Sequence, residues 1–554
     1  MLSLLAAALQ AATPGLDYTI AITASPDAPA AVTMTLQFSG DADGMTELVL
    51  PTSWGGEDDL WRGIEDLAVE GGTLAAADPA APGRRAVSHA PGAPLTVTWR
   101  VIQDRDGEPA AEPDDNYRPW VRPGYVHMIG HTALIRPDAP GDTPVSVRFE
   151  TPEEWALASD LEHEGLTLAD VGPSVIAAGD FTVRAIDIDG AQVRVAVRGQ
   201  MDADLIAAAT EAAVRSNLLY FDDRAEPYLV TGLPVAAAPG MSSFGGTNLD
   251  DAFALFGTAN TPPDILQRIL VHEHAHTWLP LRLGGLPQGA NEPYGYWFSE
   301  GFTDFVTTRA GLLGGAWDAA AAIGHWNEFL AEYMSSPVRT APNAAIAEGF
   351  WTDFDLQRLP YLRGKLFAAL VEHRVRQATN GGMDLDDVLA AMYQNPAEPS
   401  APEGFVAAVR TATGVDVADL YQRHIVQGET IVLHPDTFGA CGVVETGLEP
   451  VFVYGMTLAP REDGGEGFLI AEVDPEGPAA GVFEPGMILL ERVAGAVGDA
   501  TQPSAFRILD GQEEVVLSYL PTTGETAPVQ RLTPADGAAS DPVCFAILAG
   551  RARP

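Results

Sequence analysis

Residues 271–280 read VHEHAHTWLP and residues 296–305 read YWFSEGFTDF, and these two stretches decide how the chain is interpreted. The first contains His-Glu-x-x-His at His272, Glu273 and His276. Residues four apart share one face of a helix, so His272 and His276 can direct both imidazoles at one metal while Glu273 stands beside them. The second stretch supplies Glu300 and, one helical turn later, Asp304. Zinc accepts imidazole nitrogen and carboxylate oxygen, and its hydrolytic sites use three protein ligands and keep one position for water. His272, His276 and Glu300 complete that set, for one zinc per chain. A zinc-bound water has its pKa lowered from about 16 towards 7; Glu273, beside the metal, is the general base. Asp304 can accept a hydrogen bond from a ligand histidine and fix its tautomer. His274 falls on another face of the helix and reads as a packing residue or as one that supports the ligands from behind, not as a ligand.

Working outward, the pattern predicts a helix with Thr261 as N-cap, Pro262 in its first turn, a core face of Ile265, Leu266, Ile269 and Leu270, and a stop at Pro280. A second helix is expected from Ser299, as its cap, to about Leu313, stopped by Gly314 and Gly315, with Glu300 in its first turn. Upstream, MDADLIAAATEAAVRSNLLYF has helical periodicity with Asp202 or Asp204 as cap, and EPYLVTGLP reads as a buried strand. The glycine-containing segment that follows, with Gly245 and Gly246, sits where an edge strand could pair with an extended substrate. Residues 200–315 thus read as an α+β catalytic domain.

Residues 13–199 alternate apolar and polar positions between turn residues, which predicts an antiparallel, sandwich-like β domain in which Trp54, Trp120 and Trp155 are packing residues. Residues 316–438 have helical periodicity and form a helical lobe. Residues 439–554 are β-rich, and AEVDPEGPAAGVFEPGMILLERVAG has the strand, turn, short helix and Pro-Gly-strand order of a PDZ domain.

A chain of 554 residues, at roughly 100–200 residues per domain, is multidomain. Its 46% hydrophobic and 19% charged residues place it among globular proteins rather than disordered ones. The net charge of −45 repels phosphate backbones, so nucleic acid is not an expected partner. No stretch reaches the roughly 18 uninterrupted apolar residues of a membrane span. Residues 1–12 have a short apolar run followed by small residues, without a basic start; they read as a secretory signal cleaved near Ala11 or Ala12, which predicts a periplasmic or secreted protein. Cys441 and Cys544 form either one disulfide or two buried thiols.

The segments HEHAHTW at 272–278, WFSEGFTDF at 297–305, PYLRG at 360–364 and TNGGMDLDDVLAAMY at 379–393 resemble the glycyl-aminopeptidase family of gluzincin zinc metallopeptidases. Weaker matches are LPTSW at 50–54, HMIGHTALIRP at 127–137 and EEWALASDL at 153–161, so the similarity spans nearly the whole chain. The resemblance implies an N-terminal β domain, a thermolysin-like catalytic domain, a helical region and a C-terminal PDZ domain. It implies metal ligation by His272, His276 and Glu300, and Glu273 as base. Read as a residue alone, Tyr361 is a core aromatic; the resemblance makes it the phenol that stabilises the transition state, with Arg363 in place of the usual lysine. The implied activity is removal of small N-terminal residues such as glycine and alanine from peptides.

Two departures qualify that expectation. Related enzymes carry Gly-Gly-x-Glu-His where this chain has Gly245-Gly246-Thr247-Asn248-Leu249, so the neutral Asn248 replaces the glutamate that binds the substrate α-amine, unless Asp250 or Asp251 supplies the charge. In the PDZ-like module Met487 follows Pro485-Gly486 where Asp is common, and VYGMTL at 453–458 is the nearest carboxylate-binding loop. That module either captures a peptide terminus or packs within the chain. An aminopeptidase is expected first, and an endopeptidase or a peptidase of altered specificity second. A PDZ-containing peptide-binding or chaperone-like protein with a vestigial zinc site is the third, although such a protein has no need of Glu273.

Overall fold

The computed structural model describes residues 15–24, 29–110, 116–237, 242–287, 289–461, 465, 467–495, 499–511 and 513–550; the signal-like segment 1–12 lies outside them. The chain divides into two units, one of Met1–Ala208, Ala225–Ala236 and Ser243–Thr261, the other of Ala209–Arg224, Ala237–Ser242 and Pro262–Pro554.

The first unit is built from sheets whose strands alternate as the sequence does: Leu16–Thr23 buries Leu16, Tyr18, Ile20 and Ile22 and turns the intervening residues outward. The expectation of a wholly antiparallel domain is corrected at this strand. It pairs antiparallel with Ala31–Ser39 on one side but parallel with Val145–Glu150 on the other, because a long excursion of chain separates the parallel partners. Trp54, Trp120 and Trp155 all join the apolar clusters of this unit. A five-stranded sheet runs in the order Thr182–Ile188, Ala191–Val197, Tyr228–Pro234, Ala252–Gly257, Phe244–Asn248, with its three middle strands parallel. The two innermost, Tyr228–Pro234 and Ala252–Gly257, are buried almost without interruption, as strands covered on both faces must be. The expected boundary at residue 199 therefore falls between strands of one sheet. Phe244–Asn248 is the edge strand, and Ala252–Gly257 lies between it and the following helix in sequence.

The second unit is mainly helical. The helix bearing the His-Glu-x-x-His sequence runs Pro263–Ala275, and its N-cap is Pro262 rather than Thr261, whose hydroxyl instead donates to the Thr258 carbonyl at 2.8 Å. The next helix, Tyr296–Gly314, starts three residues before the expected cap. Ser299 is therefore internal and buried, and Glu300 is in the second turn; the Ser299 hydroxyl donates to Glu300 Oε1 at 2.9 Å. Aromatic packing decides this: Tyr296, Trp297 and Phe298 are all buried, which draws them into the helix. Gly315 ends it in the left-handed conformation, φ 79°.

Helices Ala319–Ser335, Asn343–Gly349, Phe354–Ala378, Leu385–Gln394 and Ala401–Thr413 complete the helical lobe. Phe354–Ala378 crosses Tyr296–Gly314 at Gly301 and Gly364. A Cβ on Gly301 would collide with the Gly364 backbone, and one on Gly364 with the Trp297 carbonyl. Trp297, Phe302, Phe367 and Phe405 fill the space beside the crossing, with Trp297 centred 5.4 Å from Phe367 and Phe302 4.9 Å from Phe405.

In the C-terminal part, Gly442–Pro450 and Thr526–Pro534 form an antiparallel ribbon clamped to helix Ala319–Ser335: the Asn327 amide donates to the Leu532 carbonyl at 3.0 Å and accepts the Leu532 N–H at 2.7 Å. Between the two ribbon strands lies an antiparallel five-stranded sheet, Met456–Pro460 to Glu513–Tyr519, with its own core of Ile470, Phe483, Phe506, Ile508 and Tyr519. The short helix expected within residues 474–487 is corrected to a series of turns, in which Ala480 bonds back to Gly477 and Phe483 to Ala479. Of the two alternatives for the cysteines, Cys441 and Cys544 are joined as a disulfide that ties the start of the ribbon to the last helix, Pro542–Ala549. Among the described residues no helix is long and apolar enough to cross a membrane.

The crossing predicts that Gly364→Ala lowers stability by about 1–3 kcal/mol or more through overpacking. Denaturant melts of the two proteins check this; an unchanged midpoint would contradict the close approach.

Candidate metal centre

The helix Pro263–Ala275 and the residue that follows it place His272 and His276 on one face, because His276, the C-cap, is still helical at φ −63°. Glu300 reaches the same point from the second helix. The His272 and His276 Nε2 atoms are 3.1 Å apart, and each is 3.4 Å from Glu300 Oε2. Two ligands held about 2.05 Å from a tetrahedral zinc stand about 3.3 Å apart, so this donor triangle fits the ion. Among the described residues it is the group of histidines and acids whose donor atoms converge in this way.

Each imidazole is oriented through its other nitrogen. His272 Nδ1–H donates to Asp304 Oδ1 at 3.0 Å, and His276 Nδ1–H donates to the Leu279 carbonyl at 2.8 Å. Both bonds turn the Nε2 atoms towards the triangle. The Leu279 contact was not legible in the sequence, since any residue offers the same carbonyl. Asp304 was legible, through its spacing of four from Glu300.

Charge is concentrated here. Burial lowers the His272 pKa, but the Asp304 charge and hydrogen bond and the Glu300 contact outweigh it and lift it to about 10. Burial raises the Glu300 carboxyl, and the two imidazoles reverse that and hold it well below the usual carboxylate range. Glu273 is raised, chiefly by burial, with the imidazoles opposing. The Tyr361 ring lies against His272, centroids 6.0 Å apart and 23° from parallel. Burial, then the charges of Glu300, Glu273 and Asp304, raise its pKa well above 10, so it stays a protonated donor. Tyr361 sits in the third turn of Phe354–Ala378. Arg363 points elsewhere, buried, and donates to the Arg339 carbonyl at 2.8 Å. His274 is the packing residue expected: its Nδ1 is 3.1 Å from the Asn217 amide, its ring meets Trp278 edge-on, and burial lowers its pKa to about 3.

His272, Glu273, His276, Glu300, Asp304 and Tyr361 thus belong to the second unit, whereas Gly245, Gly246 and Asn248 belong to the first. There Gly246 has no room for a side chain beside Phe253 and takes a hydrogen bond from the Tyr117 hydroxyl at 3.0 Å, while Gly245 faces open space. The Asn248 side-chain Oδ1 accepts the Asp250 N–H at 3.1 Å, in the turn into the next strand. Asp251 adds to the upward shift of buried Asp160, which burial itself dominates and which reaches about 8.

No protein-family model matches the sequence, and no curated protein is similar to it. Among solved structures the chain is similar to an aminopeptidase N family protein from Idiomarina loihiensis, at 14% identity, with 96% of this chain and 100% of that one covered and a TM-score of 0.68. It is also similar to an M1 zinc metallopeptidase mutant from Deinococcus radiodurans bound to a Tyr-Ser-Ala substrate, at 16% identity, with 76% of this chain and 96% of that one covered and a TM-score of 0.51. At these identities the likeness is one of fold: a multidomain α+β architecture with a β-rich N-terminal part and a helical lobe.

Because a proton on His272 must leave before its Nε2 can bind a cation, zinc affinity is expected to fall as pH drops below about 10. Asp304→Asn, which removes the charge that orients His272, is expected to weaken zinc by about 10- to 100-fold. Competition with a chelator at several pH values checks both; equal affinity in the variant would rule out the orienting role.

Proposed function

We propose that this protein is an exported zinc-dependent peptidase, first of all an aminopeptidase releasing small N-terminal residues. The reading rests on the donor triangle of His272, His276 and Glu300, with a carboxylate that is not a ligand, Glu273, beside it. Bound zinc would supply Lewis acidity and an acidified water. Glu273 would take the proton and deliver it to the leaving amine, a role suited to a carboxyl whose pKa burial has raised. Tyr361, held protonated next to His272, would donate to the oxygen on which negative charge grows. The fold likeness to aminopeptidase N and M1 structures supports this chemistry, and the sequence resemblance supports the preference for small residues. The signal-like segment with the disulfide supports export.

Asn248 favours a second reading, an endopeptidase, because a neutral amide does not balance an α-ammonium. Glu273→Gln is expected to retain one zinc per chain and lose peptide hydrolysis by at least about 100-fold; activity surviving the change would sink the mechanism. Comparing a free peptide with its N-acetylated form separates the readings, since equal rates would leave only the endopeptidase.

A further inference from the structure

A cavity of about 620 Å³ lies at the N-terminal end of the Glu300 helix, and none of the described residues that line it belongs to the metal centre. Its size falls within the roughly 300–1,000 Å³ of ligand sites. Tyr294, from the segment leading into the helix, and Trp297, in its first turn, form one wall. Tyr421 and the start of helix Ala401–Thr413, with Pro399, Pro402 and Glu403, form the rest.

Three hydrogen-bond donors meet this space without partners. Trp297 is 1% exposed, yet its Nε1–H is not sealed from solvent and has no acceptor among the described residues. The indole thus meets the cavity by its N–H edge, with its face covered. By contrast, the buried indoles of Trp99, Trp120 and Trp278 donate to the Ala133 carbonyl, the Asn116 carbonyl and Asp223, at 3.1, 2.9 and 2.9 Å. The Tyr294 and Tyr421 hydroxyls also have no partner among the described residues. Tyr294 is 40% exposed, and the Asn343 amide donates to its backbone carbonyl at 2.9 Å, which fixes that wall. The Tyr421 ring lies 5.6 Å from Trp297 between centroids, and burial, with the Glu403 charge, raises its pKa so that the phenol keeps its proton.

The donors call for a ligand rich in acceptors. An anion would supply them, but among the described residues no Lys, Arg or His lines the cavity, and Glu403 would repel it. A sugar would stack on an open ring face, which Trp297 does not offer. A proline-containing peptide fits on both counts: proline brings no N–H that needs an acceptor, and a polyproline II chain keeps its carbonyls free of internal hydrogen bonds. Its pyrrolidine rings pack on aromatic walls, here those of Tyr294 and Tyr421.

We propose that this cavity binds a proline-containing peptide segment in the polyproline II conformation, with peptide carbonyls accepting from Trp297, Tyr294 and Tyr421. The site stands apart from the peptidase reading, since binding there needs neither metal nor hydrolysis.

The test is calorimetry of the full-length protein with N-acetyl-hexaproline amide, N-acetyl-hexa-alanine amide, maltotriose and citrate, each with zinc loaded and with zinc removed. The hexaproline is expected to bind at least about 10-fold tighter than the other three, equally with and without zinc. Tyr421→Phe, which deletes one donor, is expected to weaken it about 3- to 10-fold. Tyr294→Ala, which deletes a donor and a ring face, is expected to weaken it about 10-fold or more. No hexaproline binding tighter than about 1 mM would overturn the proposal. So would equal binding of hexa-alanine, preference for maltotriose or citrate, dependence on zinc, or wild-type affinity in both variants. Should Tyr421→Phe not fold, the exposed Tyr294 decides through its own variant, whose unchanged affinity refutes the site. Peptide hydrolysis is not read in this experiment, so its loss or presence bears only on the metal centre.

Discussion

The functional half of the molecule depends on two helices approaching until their backbones touch. At Gly301 and Gly364 no side chain separates Tyr296–Gly314 from Phe354–Ala378. Both glycines adjoin the chemistry: Glu300 immediately precedes one, and Tyr361 lies a turn before the other. A carboxylate and a phenol from segments 61 residues apart can therefore serve one imidazole pair. The aromatic cluster of Trp297, Phe302, Phe367 and Phe405 holds the crossing in place, since close packing of this kind resists the small displacements that would spread the donors.

Around that crossing, burial and charge pull in opposite directions. The net charge of −45 belongs mostly to exposed residues, where a single ion pair contributes about 0–1 kcal/mol. Inside, two opposite charges 3.4 Å apart at an effective dielectric near 20 attract by about 5 kcal/mol before desolvation is subtracted. That is why the Glu300 carboxyl is depressed although burial works against its ionised form, and Asp304, 3.0 Å from His272, is the main reason that imidazole is raised.

Much of this was legible in the chain. The shared face of His272 and His276 and the one-turn spacing of Glu300 and Asp304 follow from helical spacing, which is local; the convergence of Glu300 with the two histidines is a contact between helices. The break in period near residue 200, the buried strand at 228–234 and the helical lobe follow from apolar patterning. What was not legible depends on contacts distant in sequence or on groups every residue carries. The parallel pairing of Leu16–Thr23 with Val145–Glu150 and the early start of the Glu300 helix are tertiary outcomes that override local capping signals. The Leu279 carbonyl escaped for the same reason: it forms no motif. The turns that replace the expected helix in 474–487 reflect Gly and Pro content that patterning alone did not weigh.

The disulfide carries a consequence beyond holding the last helix. Cys441 and Cys544 lie 103 residues apart and enclose the whole five-stranded sheet together with both strands of the ribbon. Topologically the sheet is a closed loop hung from the helical lobe at a single root. A backbone cut anywhere between the two cysteines yields two chains that remain one covalent molecule. The module can therefore be nicked without being shed.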